Sequence, residues 1–164
     1  TMRILGIDPG FGRVGFGIIE QAAGNVWRAV AYGCLETSPK KTFVDRLAEI
    51  HEELTSVIKK YQPDRMAVEE LFFQNNAKTA FDVAQARGVI LVTGVENKLP
   101  IDEFTPLQVK QAVTGYGRAE KDQMQKMIAV SLGLKGKIKS DDAADALGVA
   151  LTAAQRLWFS NLKK

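Results

Sequence analysis

The sequence has little of the residue types that make metal clusters or covalent cross-links: one cysteine, Cys34, and one histidine, His51. A single cysteine allows no disulfide within the chain. One Cys and one His cannot supply the ligand sets of ordinary zinc sites, and they form no local Cys–His pair. No stretch approaches the roughly 20 consecutive apolar residues of a membrane span. No internal repeat, low-complexity tract or Walker A phosphate loop occurs. The opening TMRILGIDPG runs straight into a strand-like pattern without leader features, so a reducing, cytoplasmic setting with no membrane partner is expected.

The 164 residues suffice for one compact domain, read here as a single unit over 1–164. Charged residues make up 25% and hydrophobic ones 46%, an ordinary globular balance rather than a disordered one. The net charge of +3 permits a nucleic-acid partner without demanding one.

Periodicity predicts the elements. RILGID (3–8) is a short apolar run closed by Asp8, the pattern of a buried strand. Runs 15–21 and 26–36 flank a turn-rich AAGN and predict a hairpin. Phe43, Leu47, Ile50, Leu54, Val57 and Tyr61 share one face of a helix over 42–61, with Pro63 marking its end. A strand over 65–73 follows, then a helix capped by Asn75 or Asn76 that runs to about 96 and is apolar enough in its second half to be core or interface. A strand over 100–105, a helix opened by Pro106, a Gly-containing loop, and helices over 120–132 and 141–159 complete the chain. Three meandering strands followed by alternating strands and helices predict an α/β fold with a mixed sheet.

GFGRVG (10–15) matches the G-x-G-x-x-G dinucleotide pattern. That site requires a helix next, whose N-terminus meets the pyrophosphate. The residues that follow alternate like a strand, so the glycines are read as a tight turn.

SDDAADALG (140–148) poses the sharper problem. Ser140 suits an N-cap, and Asp141 and Asp142 complement the positive end of a helix dipole. Asp145 lies a turn further in. It shares a face with Asp142 on a helix otherwise built for close packing, so the pair needs positive charge. No Lys or Arg lies at the right spacing within 141–155, which leaves a lysine folded in from elsewhere or a divalent cation. Asp8 and Glu69 also close apolar strands, and adjacent strand ends would bring them together. Like charges 4 Å apart repel by about 4 kcal/mol at an effective dielectric near 20. Two Mg²⁺ ions roughly 4 Å apart would remove that cost and clamp a phosphodiester for hydrolysis. Folding is therefore expected to gather Asp8, Glu69, Asp142 and Asp145 within coordinating reach.

Five motifs in order, GIDPG (6–10), AVEELFFQNN (67–76), AQARG (84–88), QVKQAVTGYGRAEKDQ (108–123) and DDAADALGVALT (141–152), make nearly the whole chain resemble the RuvC family of Holliday-junction resolvases. The resemblance implies a ribonuclease-H-like fold with a five-stranded mixed sheet flanked by helices. It implies a homodimer that nicks two like-polarity strands of a four-way DNA junction symmetrically in recombination and repair, with Mg²⁺, two ions per subunit. It further implies a branch-migration helicase as partner. The family's metal-binding carboxylates fall on Asp8, Glu69, Asp142 and Asp145, its two active-site lysines on Lys110 and Lys121, and its stacking aromatic on Phe72.

The neighbours of these residues are read from chemistry. Lys121 in a first helical turn opposes the helix dipole, which suggests that it grips a scissile phosphate. Phe72 and Phe73 alternate along a strand, so one packs and the other projects; the projecting one can stack on a base. Lys135, Lys137 and Lys139, and Arg118, are candidates for phosphate contacts that position DNA. Glu70 is expected to point the other way along its strand. Asp141 reads as a helix-end charge, His51 as a surface residue and Cys34 as a small buried apolar group. Two further readings stay open: a non-catalytic junction-binding protein on the same fold, and a nucleotide-binding domain of the actin and sugar-kinase type.

Overall fold

The structure is a computed structural model that describes residues 1–71 and 77–162. The expected stacking aromatic Phe72, its neighbour Phe73 and the expected caps Asn75 and Asn76 lie outside the described residues.

Five strands form one mixed sheet in the order β3-β2-β1-β4-β5. They are β1 (Arg3–Asp8), β2 (Arg13–Ala23), β3 (Val26–Glu36), β4 (Arg65–Glu69) and β5 (Ile101–Phe104). β1, β2 and β3 pair antiparallel, whereas β4 runs parallel to both β1 and β5. The helices are α1 (Phe43–Tyr61), α2 (Ala77–Glu96), α3 (Pro106–Thr114), α4 (Lys121–Ser131) and α5 (Asp141–Leu162). The elements follow the order expected from the sequence. β4 ends at Glu69, shorter than the expected 65–73, and the last helix runs three residues past the expected 159.

Local chemistry sets the ends. Thr42 caps α1 by accepting the Asp45 amide, and Gln62 closes it in the left-handed region just before Pro63. Thr105 and Gln108 form a reciprocal capping box on α3, with Pro106 in its first turn and Gly115 left-handed at its end. Ser140 accepts the Ala143 amide at 3.3 Å and caps α5, as its sequence position suggests.

Side-chain alternation divides the sheet between two cores. Leu5, Ile7, Met66 and Val68 point to the side covered by α1 and α2. Ile4 and Ala67 point to the side covered by α5, with α3 and α4 outside it. Asp8 and Glu69 have the parity of Ile4 and Ala67, so both carboxylates face α5.

Glycine lets α5 lie close on the sheet. A Cβ at Gly6 would sit 2.0 Å from the Ala146 carbonyl oxygen, and one at Gly15 would sit 2.1 Å from that of Asp142. Gly17 is opposite Gly6 in the β1–β2 register, and Gly15 is opposite Asp8. GFGRVG thus does two jobs. Residues 10–12 turn the chain, while Arg13–Gly15 are already strand, and Gly15 is a seat for a helix rather than part of a turn. A strand follows the glycines, so the helix N-terminus that a dinucleotide site requires is missing there. No helix among the described residues is long and apolar enough to cross a membrane.

Candidate active site

The parallel register of β1 and β4 pairs Ile7 with Val68. One residue further, at the same ends of the same two strands, stand Asp8 and Glu69. The backbone of α5 rests on Gly15, the partner of Asp8, and so delivers Asp142 and Asp145 to that edge. Glu69 and Asp145 line a cleft of about 270 Å³ together with Lys110 and Lys121, walled by Pro106, Val109, Ala119 and Met124. The backbone of Glu69 is pinned from the opposite face, where Arg87 Nε donates to its carbonyl at 3.2 Å and the same guanidinium pairs with Glu103.

The electrostatics are those of crowded acids. Burial, then repulsion from Glu69, Asp145 and Asp142, pushes the Asp8 carboxyl up to about 8 against the pull of Lys121. Burial and Asp145 push Glu69 up to about 7, opposed by Lys110. Asp145 is raised as well, by burial first and by Asp142 and Asp141 after the opposing effect of Lys121. The carboxylates therefore feel one another, and both lysines of the cleft act on them.

They do not converge on one point. Among the described residues, no group of three or more His, Cys, Asp or Glu side chains is arranged to hold a metal ion. The expectation that all four carboxylates stand within common coordinating reach is corrected to this extent. Asp142, for its part, is turned to an arginine: its Oδ2 accepts from Arg13 Nε at 2.9 Å. The donor set still suits a hard cation. It consists of carboxylate oxygens, and at Asp8, Glu69 and Asp145 ionisation is opposed by burial and mutual repulsion, so added positive charge is favoured. Asp8, Glu69, Asp142 and Asp145 are the residues that could hold it.

Several neighbours differ from their sequence reading. Asp141 is more than a helix-end charge: it accepts from Lys121 Nζ at 2.9 Å and from Gln125 Nε2 at 2.7 Å. Those bonds, led by Lys121, hold its carboxyl below the usual range and raise Lys121 in turn. Cys34 is half-buried rather than a buried apolar group, with Sγ 3.0 Å from Ser140 Oγ and 3.4 Å from Arg13 Nη2. His51 is not merely a surface residue, since its Nδ1 lies 2.9 Å from Thr93 Oγ1 and ties α1 to α2. Glu70 falls just past β4, where its amide donates to the Phe104 carbonyl at 2.7 Å. Arg118, Lys135, Lys137 and Lys139 are exposed; of these, Lys137 is near enough to lower Asp141.

Arg13 is the residue that sequence reasoning missed. The sequence leaves a lysine folded in from elsewhere or a divalent cation as the positive partner of the Asp142/Asp145 pair, whereas Asp142 is met by an arginine 129 positions away. Its signal was present: Arg13 opens the strand that pairs with β1, two residues before Gly15.

Comparison with known proteins gives the family. The sequence profile of the family "Crossover junction endodeoxyribonuclease RuvC" matches residues 4–153. A curated protein of that name from Caldicellulosiruptor saccharolyticus is 53% identical over 92% of this chain and 90% of its own length. Another, from Brevibacillus brevis, is 51% identical over 99% and 98%. Among solved structures, T. thermophilus RuvC in complex with a Holliday junction substrate superposes with a TM-score of 0.91 at 34% identity, covering 98% of this chain and 97% of that one. The yeast mitochondrial resolvase Ydc2, at 16% identity and a TM-score of 0.74, shares the fold, which is ribonuclease-H-like. With the family profile spanning most of its length and relatives above half identical, the chain belongs to the RuvC family of crossover junction endodeoxyribonucleases, metal-dependent nucleases.

Proposed function

We propose that the protein resolves four-way DNA junctions by Mg²⁺-dependent hydrolysis of two symmetrically related phosphodiesters, with Asp8, Glu69, Asp142 and Asp145 as metal ligands. The observation that carries this reading is a cleft lined by Glu69, Asp145 and two lysines, with Asp8 close enough to repel both acids and, like Glu69, pushed well above the ordinary carboxylate range. When bound, two Mg²⁺ ions supply an activated water and a stabilised leaving oxygen. The chain's own residues do the rest. Lys110 and Lys121 hold the scissile phosphate from two sides, and Val109, Ala119 and Met124 wall the cleft against bulk water. Arg118, Lys135, Lys137 and Lys139 touch neighbouring phosphates, contacts that position DNA without reading its sequence.

Two equivalent strands require two equivalent sites, and a twofold dimer supplies them. α2 is the surface for it. It buries Ala86, Ile90, Thr93 and Gly94 but leaves Phe81, Val92 and Val95 more than half exposed, with open space over Gly88. A continuous apolar row of this kind is the mark of an association surface. Cytoplasmic action and a branch-migration helicase partner belong to the same reading.

The test is a synthetic four-way junction incubated with the full chain and Mg²⁺. Paired, symmetric nicks that vanish with EDTA are expected. A junction left intact at saturating protein would favour a non-catalytic binding role instead.

A further inference from the structure

The exposed start of α5 carries a contact that the hydrolytic roles leave unused. Arg13 Nε donates to Asp142 Oδ2 at 2.9 Å, Nη1 lies 3.4 Å from Glu36 Oε1, and Nη2 lies 3.4 Å from Cys34 Sγ. Cys34 Sγ is itself 3.8 Å from the same Oδ2 and 3.0 Å from Ser140 Oγ. One guanidinium is thus held between β2, β3 and the start of α5. The bond occupies an oxygen of Asp142, one of the carboxylates that would hold a cation. Arg13 is also the nearest fixed positive charge on Asp142; Lys121 is paired with Asp141 instead.

Resting on the function proposed above, we propose that Arg13 is the resident counterion of Asp142, which an incoming divalent cation displaces, and that the released guanidinium then takes a DNA backbone phosphate at the exposed start of α5. The geometry supports both halves. Arg13 and Asp142 side chains are 54% and 37% exposed, so the pair is weak enough for a divalent ion to break. Once Asp142 turns to a cation, Arg13 keeps Cys34 Sγ at 3.4 Å and Glu36, also at 3.4 Å and itself 65% exposed. A planar fork of donors with open solvent before it is suited to two oxygens of one phosphate. The exchange couples the two ligands: metal frees the arginine for DNA, and DNA holds the arginine away from the metal ligand.

The experiment is Mg²⁺ titration calorimetry on the full, DNA-free chain at low ionic strength, comparing wild type, Arg13→Gln and Lys40→Gln. Lys40→Gln removes the same charge from an exposed site whose only hydrogen bond among the described residues is its backbone amide to Ser38. Arg13→Gln is expected to bind Mg²⁺ about threefold to fivefold more tightly than wild type, the reach of an exposed pair, while Lys40→Gln stays close to wild type. Equal tightening in both variants would overturn the proposal, because net charge alone would then explain it; so would no tightening in Arg13→Gln. The second measurement is the salt dependence of junction binding by anisotropy. With Ca²⁺ present, Arg13→Gln should lower the slope by about one; with EDTA it should leave the slope unchanged. A loss equal under both conditions would overturn the release step. Wild type that binds no cation and nicks no junction would sink the proposed function itself, whereas wild type that does both, beside an unaltered Arg13→Gln, would sink only this inference.

Discussion

Lys121 Nζ stands 2.9 Å from Asp141 Oδ2, and Gln125 fixes the other oxygen of that carboxylate. The lysine that opens α4 against its helix dipole is therefore steadied by the acid that opens α5. Both side chains are more than half exposed, so the pair is worth under about 1 kcal/mol. Asp141→Asn is expected to slow nicking by at most about fivefold. It has a second signature. Asp141 raises Lys121, so its loss lets the lysine shed its proton at lower pH, and the alkaline limb of the rate profile should move to lower pH. A limb that stays in place would remove Asp141 from this role.

The carboxylates predict a pH dependence of folding. Asp8 moves from an ordinary 3.8 to about 8, and Glu69 from 4.5 to about 7. A raised folded value means the native state holds its proton more tightly than the unfolded chain does. The stability this supplies is complete below the unfolded value and is lost as pH rises through the folded one. The metal-free protein should therefore lose stability between about pH 4 and 8 on account of these two groups. Asp8→Asn should raise the thermal midpoint at pH 8 and change it little at pH 4. A midpoint difference that is flat with pH would contradict the burial of this acid.

For the same reason, Mg²⁺ should stabilise the wild-type protein more at pH 8 than at pH 6, since binding must first expel protons. Glu69→Gln or Asp145→Asn should erase most of that stabilisation and cut nicking by about a hundredfold or more, while leaving junction binding in place. Either variant cutting at a normal rate would show that the metal ligands have been assigned to the wrong residues.

Gly6 and Gly15 are the seats of α5. Gly6→Ala places a methyl 2.0 Å from a backbone oxygen, so the helix must move. A loss of about 1–3 kcal/mol or more is expected by denaturant titration. Gly15→Ala presses on Asp142 itself and should cost metal affinity as well as stability. Unchanged unfolding in both would mean that the helix does not lie where it is described.

On α2, Val92→Glu puts a charge into the exposed apolar row without touching the core. It should convert a dimer to a monomer in sedimentation velocity and leave the thermal midpoint of the fold nearly unaltered. A dimer that survives would move the interface elsewhere.

The order of elements was legible in the sequence because each carries a strong period and its own punctuation: Thr42 and Pro63 around α1, Pro106 and Gly115 around α3. The strand-end acids were legible for the same reason, as Asp8 and Glu69 each end an apolar run. The pairings among them were not. Arg13 with Asp142, and Lys121 with Asp141, join residues that only the packed α5 brings together. Helix spacing speaks for neighbours a turn apart and is silent about a partner on another strand. The role of Gly15 was hidden likewise. A glycine pattern cannot tell a turn from a seat, and only the β1–β2 register, with Gly15 opposite Asp8, separates the two.

Asp8 comes from the first strand of the chain, Glu69 from the fourth, and Asp142 and Asp145 from the last helix, which lies close across the sheet. The cutting centre proposed for these residues thus has no existence in any fragment. A chain still emerging from the ribosome, or one unravelled at its final helix, is chemically blunt toward the genome around it. The topology is its own safety catch.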